Sequence, residues 1–515
     1  MGIKNQSTGP FLLGIDGGTE AVRAAVFTPE GELVGLARAA HPTQHPHPGW
    51  AEGNPNDWWN ALVSCVRQVL TELEITGHDI AGISCACTSS TVVFCDNDGT
   101  PARPALLWMD IRSSTQAKQI AATAHPSLKY TGFGAVSAEW LPCKALWVHD
   151  NDLQTFANSP VVCEYTDWFG FKLTGTWTAS INTAAIRGFY DRNEGGWPVS
   201  LFEQIGLDDL VEKLPSTVLD MGTPLGEGLC PEAAAELGLE AGTPVGVGGA
   251  DAFVAQIGMN AIRPGSVALI TGNSHLQILQ SDTPSYGGGL FGAYTDAVMP
   301  GQYTVEGGQP SSGSVLRWVR DLISGSTMRS DAENQAIYHR LETEAARLPP
   351  GADGVHVLEH WQGSRTPHVD SESRGAIWGL TLAHGAPHLY RAVVEAVCFG
   401  TESIFEALRD SGHTIHEIVA CGGALKSPLW IQTHADVSNH AIAIPKVGES
   451  GTLGSAILAS VAAGIHPDVA TGAAKMTSIE RLVEPREGAC DQYKPYMEQY
   501  RDSYYRLREL SRSGR

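Results

Sequence analysis

Asp16, Gly17, Gly18 and Thr19 sit at the tip of a turn between two apolar runs, residues 11–15 and 21–27. The pattern is that of a β-hairpin, and an ordinary N-terminal hairpin would satisfy it. The same residues also suit chemistry. Glycines let backbone N–H groups approach an anion closely, and Thr19 adds a hydroxyl. A carboxylate beside an anion-binding turn makes sense when a divalent cation lies between them, which gives Asp16 a metal-facing role. Residues 266–279 repeat the design, with Thr271, Gly272 and Asn273 in the places of Gly17, Gly18 and Thr19. Two phosphate-type hairpins, each opening one half of the chain, predict a duplicated domain with a nucleotide between the halves.

Asp251 is the second acid with a position suited to chemistry. Residues 244–251, Pro-Val-Gly-Val-Gly-Gly-Ala-Asp, read as a strand running into a glycine turn and a carboxylate. The carboxyl end of a strand is where α/β sheets hold their chemistry, although an Asp at a strand-to-helix junction serves equally as a helix N-cap. The G-x-G here lacks the final glycine and the later acid of a dinucleotide fingerprint. A strand over 418–420 meets Cys421-Gly422-Gly423-Ala424, a turn that can let a nucleotide lie against bare backbone. Residues 88–91, Thr-Ser-Ser-Thr, follow a buried-type strand over 80–87 and either line a cleft or form a simple Ser/Thr turn. Trp108, Asp110 and Arg112 end another apolar run; the two charges could equally be a surface ion pair. Trp140, Trp147 and Trp168 are expected in the core.

These groups need a large scaffold. The 515 residues are too many for one core and fit two domains, placed here at 1–258 and 259–515. Asn54 and Pro55 start a helix whose apolar residues Trp59, Leu62, Val63, Val66, Val69, Leu70 and Leu73 follow helical spacing. Residues 306–313 read as a glycine-rich turn opening a helix, 387–410 as a helix buried on one side, 451–461 as a small-residue helix for close packing, and 493–510 as an aromatic and charged surface helix. A net charge of −22 argues against nucleic acid or an anionic membrane as partner. There is no apolar signal core at the start and no apolar run of about 18 residues. The ten cysteines, from Cys65, Cys85 and Cys87 to Cys490, lack zinc-site spacing, so free thiols in a reducing cytoplasm are expected.

In this order and spacing the motifs resemble the FGGY family of carbohydrate kinases over nearly the whole chain. The match runs through Gly14-Ile15-Asp16-Gly17-Gly18-Thr19, Gly249-Ala250-Asp251, Thr271-Gly272 and Cys421-Gly422-Gly423. Leu107-Trp108-Met109-Asp110 with Arg112, Glu306-Gly307-Gly308-Gln309, Gly363-Ser364-Arg365-Thr366-Pro367 and His434-Ala435-Asp436-Val437 are similar to the ribulokinase branch. Xylulokinases carry a Gln-Met-His-Gly loop, and glycerol kinases an Asn-Gln-Arg loop, where this chain has residues 88–91.

The resemblance implies an α/β fold of two actin/hexokinase-like (ribonuclease H-like) domains with a cleft between them. It implies ATP and Mg2+ in that cleft and phosphorylation of a terminal hydroxyl of an open-chain ketopentose. Ribulose stands ahead of xylulose and of polyols such as ribitol or erythritol. By the family pattern Asp251 is the general base and Asp16 holds Mg2+. Gly18, Thr19, Thr271 and Gly272 contact phosphates, and Gln309, Gly422, Gly423 and Ser427 lie on the nucleotide side. Ser89, Ser90, Trp108, Asp110, Arg187, Asp251 and Glu306 face the sugar. Three positions depart from the pattern: Ser427 and Ser364 replace a frequent Asn, and Arg187 replaces a frequent Lys. Sugar and ATP are the expected partners, without nucleic acid or membrane; homodimerisation is left open. Closure hinged near residues 252–265 is expected to exclude water. Outside the class, the alternative is a non-catalytic ATP-binding regulator, against which the retention of Asp251 weighs.

Overall fold

The computed structural model describes residues 9–132, 135–325 and 329–513. Its N-terminal sheet contains β1 (Phe11–Gly17), β2 (Ala21–Phe27), β3 (Leu33–Ala40), β4 (Ile80–Cys87) and β5 (Val245–Ala250), in the order β5-β4-β1-β2-β3. β1, β2 and β3 run antiparallel in succession, whereas β4 is parallel to both β1 and β5. The C-terminal sheet contains β6 (Ser266–Thr271), β7 (His275–Ser281), β8 (Phe291–Thr295), β9 (Tyr303–Gln309), β10 (Glu417–Gly422), β11 (Ile442–Pro445) and β12 (Ile479–Val483). Its order is β8-β9-β7-β6-β10-β11-β12. Without the two outer strands, order and direction repeat those of the first sheet. The duplication expected from the two hairpins is present strand for strand.

The helices that matter for the site are α1 (Pro55–Leu73), α2 (Leu141–Asn151), α3 (Tyr165–Thr174), α4 (Ile181–Gly188), α5 (Asp251–Gly258), α6 (Ala386–Asp410), α7 (Pro428–Ser438), α8 (Ser450–Ala462) and α9 (Ala489–Ser513). Asn54 caps α1 by accepting from the Asn56 amide, with Pro55 in the first turn, as the sequence predicts.

α5 and α8 are the equivalent helices of the two halves, and they cross where the halves meet. α8 follows the C-terminal strand β11 but packs on β1 and β4 of the N-terminal sheet and crosses α5. α5 follows β5, and its Gln256 side chain reaches the Ile278 carbonyl on β7 at 3.2 Å. Small residues permit the crossing. A Cβ at Gly14 would strike the Thr452 carbonyl, one at Gly258 the Ser450 carbonyl, and one at Gly454 the Val254 carbonyl. Because close-packed interiors leave no slack, a larger side chain here would push the backbones apart at a cost of about 1–3 kcal/mol or more. The small-residue helix expected at 451–461 is thus the joint between the two halves.

Two local expectations are corrected. Residues 306–309 are not a turn but the end of strand β9, and the helix begins only at Gly313. Ladder pairing with β7 overrides the local glycine signal, and Gly307 makes room for Ile404 of α6. The tail helix is not only a surface element, because Tyr493, Met497, Tyr500 and Tyr504 form a buried stripe against α6. The segment after residues 88–91, strand Val92–Cys95, pairs with Val161–Glu164 in a small separate sheet. Trp140 and Trp168 are in the core as expected, and Trp147 is partly buried against it. Among the described residues no helix is long and apolar enough to cross a membrane.

Candidate active site

The carboxyl ends of the parallel strands in both sheets carry the candidate groups. Asp16, Gly18 and Thr19 close β1, residues 88–91 follow β4, and Asp251 follows β5. Across from them Thr271 and Gly272 close β6, and Gly422 and Gly423 close β10. A local sequence rule, an acid or small residue just after an apolar run, becomes one cleft because the sheet aligns those ends.

Two acids of the cleft, Asp16 and Asp251, lie within electrostatic reach of each other. Asp16 is opposite Arg23 in the β1–β2 register, and its Oδ2 accepts from Arg23 Nη1 at 2.6 Å. Burial raises the Asp16 carboxyl above its usual range, Arg23 opposes that shift, and Glu449 adds to it. Asp251 opens α5, and the N-cap position falls to Ala250. Burial, and then the Asp16 charge, push Asp251 up to about 7. A carboxyl with a pKa near the working pH is what a general base requires. Asn182 on α4, which sequence reasoning missed, accepts from the Ala250 amide at 2.8 Å and donates to the Ala297 carbonyl at 2.7 Å. It fixes the backbone just ahead of Asp251 to the other half of the chain.

On the sugar side, Ser89 is partly exposed and Ser90 is buried with a φ of 57° and an unpaired Oγ. Trp108 is 39% exposed and donates from Nε1 to Thr19 Oγ1 at 3.0 Å. Arg187 lies 3.2 Å from Glu306, and Arg365 closes on the other Glu306 oxygen. The two guanidiniums hold Glu306 below its usual range against the pull of burial. Asp110 is the exception. It is fully buried, with both oxygens engaged by Arg112 and by the Ala51 amide, and Arg112 stacks 3.7 Å over Trp50. Asp110 therefore shapes the Trp108 segment from beneath and presents no free carboxylate.

The nucleotide side separates into exposed backbone and engaged side chains. Gly272, Gly422 and Gly423 are exposed. Gly422 has a φ of 96°, and a Cβ there would strike the Thr271 carbonyl, so the turn requires glycine. The Thr271 hydroxyl donates to the Cys421 carbonyl at 2.6 Å and accepts from the Ala424 amide at 3.0 Å, tying the two turns together. Gln309 does not face the cleft. Strand alternation turns it inward, where its amide meets Glu359, the Val397 carbonyl and Thr401. Ser427 caps α7 and donates to Glu342 at 2.9 Å, so its hydroxyl is also committed.

The sequence comparisons agree with this architecture. The N-terminal domain of the FGGY family of carbohydrate kinases matches residues 11–258, and the C-terminal domain of that family matches residues 267–463. The chain belongs to the FGGY family of carbohydrate kinases. It is an enzyme of the two-domain sugar kinase fold, acting on a sugar with ATP as phosphate donor. It is 30% identical to an FGGY carbohydrate kinase domain-containing protein of Xenopus laevis, over 92% of each chain. A ribulokinase of Anoxybacillus flavithermus is 30% identical over 88% of this chain and 86% of its own. A solved xylulose kinase from Rhodospirillum rubrum superposes with a TM-score of 0.85 at 25% identity, covering 98% of this chain and 100% of that one.

Proposed function

We propose that the protein transfers the γ-phosphoryl group of ATP to a terminal hydroxyl of a ketopentose, with ribulose preferred to xylulose. The observation that carries the reading is Asp251: a cleft carboxyl raised to about 7 by burial and by Asp16, at the carboxyl end of β5. A primary alcohol is a poor nucleophile. Asp251 accepts its proton as the oxygen attacks phosphorus, and the turns that follow Gly18 and Gly272, whose own amides close the hairpins on the Ala21 and Ser274 carbonyls, lie against the phosphates. Glu306, Arg187 and Trp108 frame the sugar, and Gly422 with Gly423 bounds the adenosine. Residues 1–258 are the sugar side with the catalytic base and residues 259–515 the nucleotide side, with Glu306 reaching across to the sugar.

The residues fit Mg2+. Asp16 and Asp251 are hard oxygen donors, and the Asp16 charge raises the Asp251 carboxyl, so a cation beside them would be stabilised by both. Among the described residues no group of three or more His, Cys, Asp or Glu could hold an ion alone, which suits a metal completed by phosphate oxygens. Asp16 would hold it, and the ion would neutralise charge on the transferred group. The ten free cysteines suit a reducing cytoplasm.

The test is kcat/KM, from coupled ADP release, for D- and L-ribulose, D- and L-xylulose, ribitol and erythritol under one condition. Ribulose and xylulose differ at one hydroxyl, and polar groups that pair with it in one isomer only discriminate by about 1–3 kcal/mol each. A tenfold preference for either xylulose, about 1.4 kcal/mol, overturns the choice of sugar and leaves the kinase standing.

A further inference from the structure

Lys144 on α2 is wholly buried, yet it has no carboxylate within salt-bridge distance among the described residues. Its ammonium spends its donors on backbone. It makes a close bond to the Ser90 carbonyl, one of 2.6 Å to the Leu107 carbonyl and a longer one of 3.4 Å to Leu106. Burying an unpaired charge is costly; a methionine would fill the same space without that cost. The carbonyls it holds are specific. Ser90 has a left-handed backbone, φ 57°, which turns its carbonyl inward. Leu107 immediately precedes Trp108, whose indole binds Thr19 of the phosphate turn.

We propose that Lys144 is a positioning residue for the phosphoryl acceptor: it clamps the 88–91 turn to the Trp108 segment and so sets the sugar side of the cleft relative to the phosphate turn. This rests on the sugar-kinase reading of residues 88–91 and Trp108. Lys144 itself touches no substrate. The groups facing it are Glu164 from the strand preceding α3, Glu139 ahead of α2, Asp110 beneath Trp108, and Cys143 on its own helix. Glu164 holds the other side of the turn, accepting from the Thr91 amide at 3.1 Å. The turn is thus gripped by a cation on its carbonyl and a carboxyl oxygen on its amide.

The experiment is steady-state kinetics of Lys144→Met with whichever sugar the wild type turns over fastest, so the choice of sugar does not enter. The clamp predicts a sugar KM raised about tenfold or more, with ATP KM within about twofold and kcat within about threefold. Unchanged sugar KM, or sugar and ATP constants falling together, overturns it. A wild type that phosphorylates no sugar would instead overturn the function on which it rests. Should the variant not fold, the pH profile decides. Burial lowers Lys144 to about 8. As pH rises through about 8 the ammonium is lost and sugar KM should climb while ATP KM stays level. Glu164 is raised by burial to about 8, and its ionisation strengthens the bond from Thr91 and acts in the opposite direction. In Glu164→Gln, whose side-chain carbonyl can still accept from Thr91 but which has no acid to titrate, a sugar KM that is flat or falls across that range overturns the clamp.

Discussion

Arg187 of α4 and Glu306 of β9 meet across the two halves of the chain, Nη1 to Oε2 at 3.2 Å, both side chains almost fully buried. The pair therefore joins two tasks: it frames the sugar side of the cleft and ties the N-terminal half to the C-terminal sheet. Arg365 shares the same carboxylate, so loss of its charge strands two cations at once.

Glu306→Gln keeps the shape and removes the charge. Breaking a buried pair by removing one partner typically costs about 3–5 kcal/mol. The expected result is a Tm lower by several degrees and a sugar kcat/KM reduced about 100-fold, with ATP KM much less affected. Calorimetry and initial rates measure both; an unchanged Tm would show that the contact contributes nothing across the halves.

Asp251→Asn should retain fold and ATP binding while kcat falls about 10²–10⁴-fold, the usual contribution of a positioned base. In the wild type, sugar kcat/KM should rise with pH and level off above about 7, where Asp251 loses its proton. Near-normal turnover in the variant would remove Asp251 from the chemistry.

The same substitution should stabilise the protein at alkaline pH. The folded state keeps a proton on Asp251 up to about pH 7, whereas the unfolded chain releases it near pH 4. The wild type therefore gains stability as pH falls through that window and loses it as pH rises towards 7 and above. Asp251→Asn has no charge to bury, so its Tm should exceed the wild-type value by roughly 2–4 °C at pH 8 and match it near pH 4. Thermal scans at the two pH values provide the check; equal values at pH 8 would mean that Asp251 is ionised without penalty.

Asp16→Ala should raise the Mg2+ concentration needed for half-maximal rate about tenfold or more, with little change in sugar KM. A Mg2+ titration at fixed ATP measures this. An unchanged metal dependence would take Asp16 out of the metal site.

Much of this site is legible in the sequence because its signals are local. Asp16, Thr19, Thr271, Gly422 and Asp251 each stand just after an apolar run, and a strand end needs only its own neighbours to be recognised. What escaped is set by distant partners. The family resemblance places Gln309 on the nucleotide side, but pairing with β7 fixes its parity and turns it toward Glu359. Ser427 is drawn away by Glu342, 85 residues earlier in the chain. Asp110 belongs to Arg112, the ion pair that its two-residue spacing offered, but the pair is buried and not on the surface. Lys144 gave no signal at all: one lysine in an apolar helix looks like an exposed face until the carbonyls around it are seen.

The seat of α8 on the N-terminal sheet has a consequence for synthesis. Gly14, Gly82 and Gly246 lie on the face of the N-terminal sheet that α8 covers, each against that helix's backbone. Those strands are complete once residue 250 has been made, but their cover is encoded some two hundred residues later. While the intervening segment is being translated, the nascent chain presents a bare, glycine-lined sheet face. The first half of the enzyme must wait on the ribosome for the second, and a chain terminated between the two would leave that face open to other proteins.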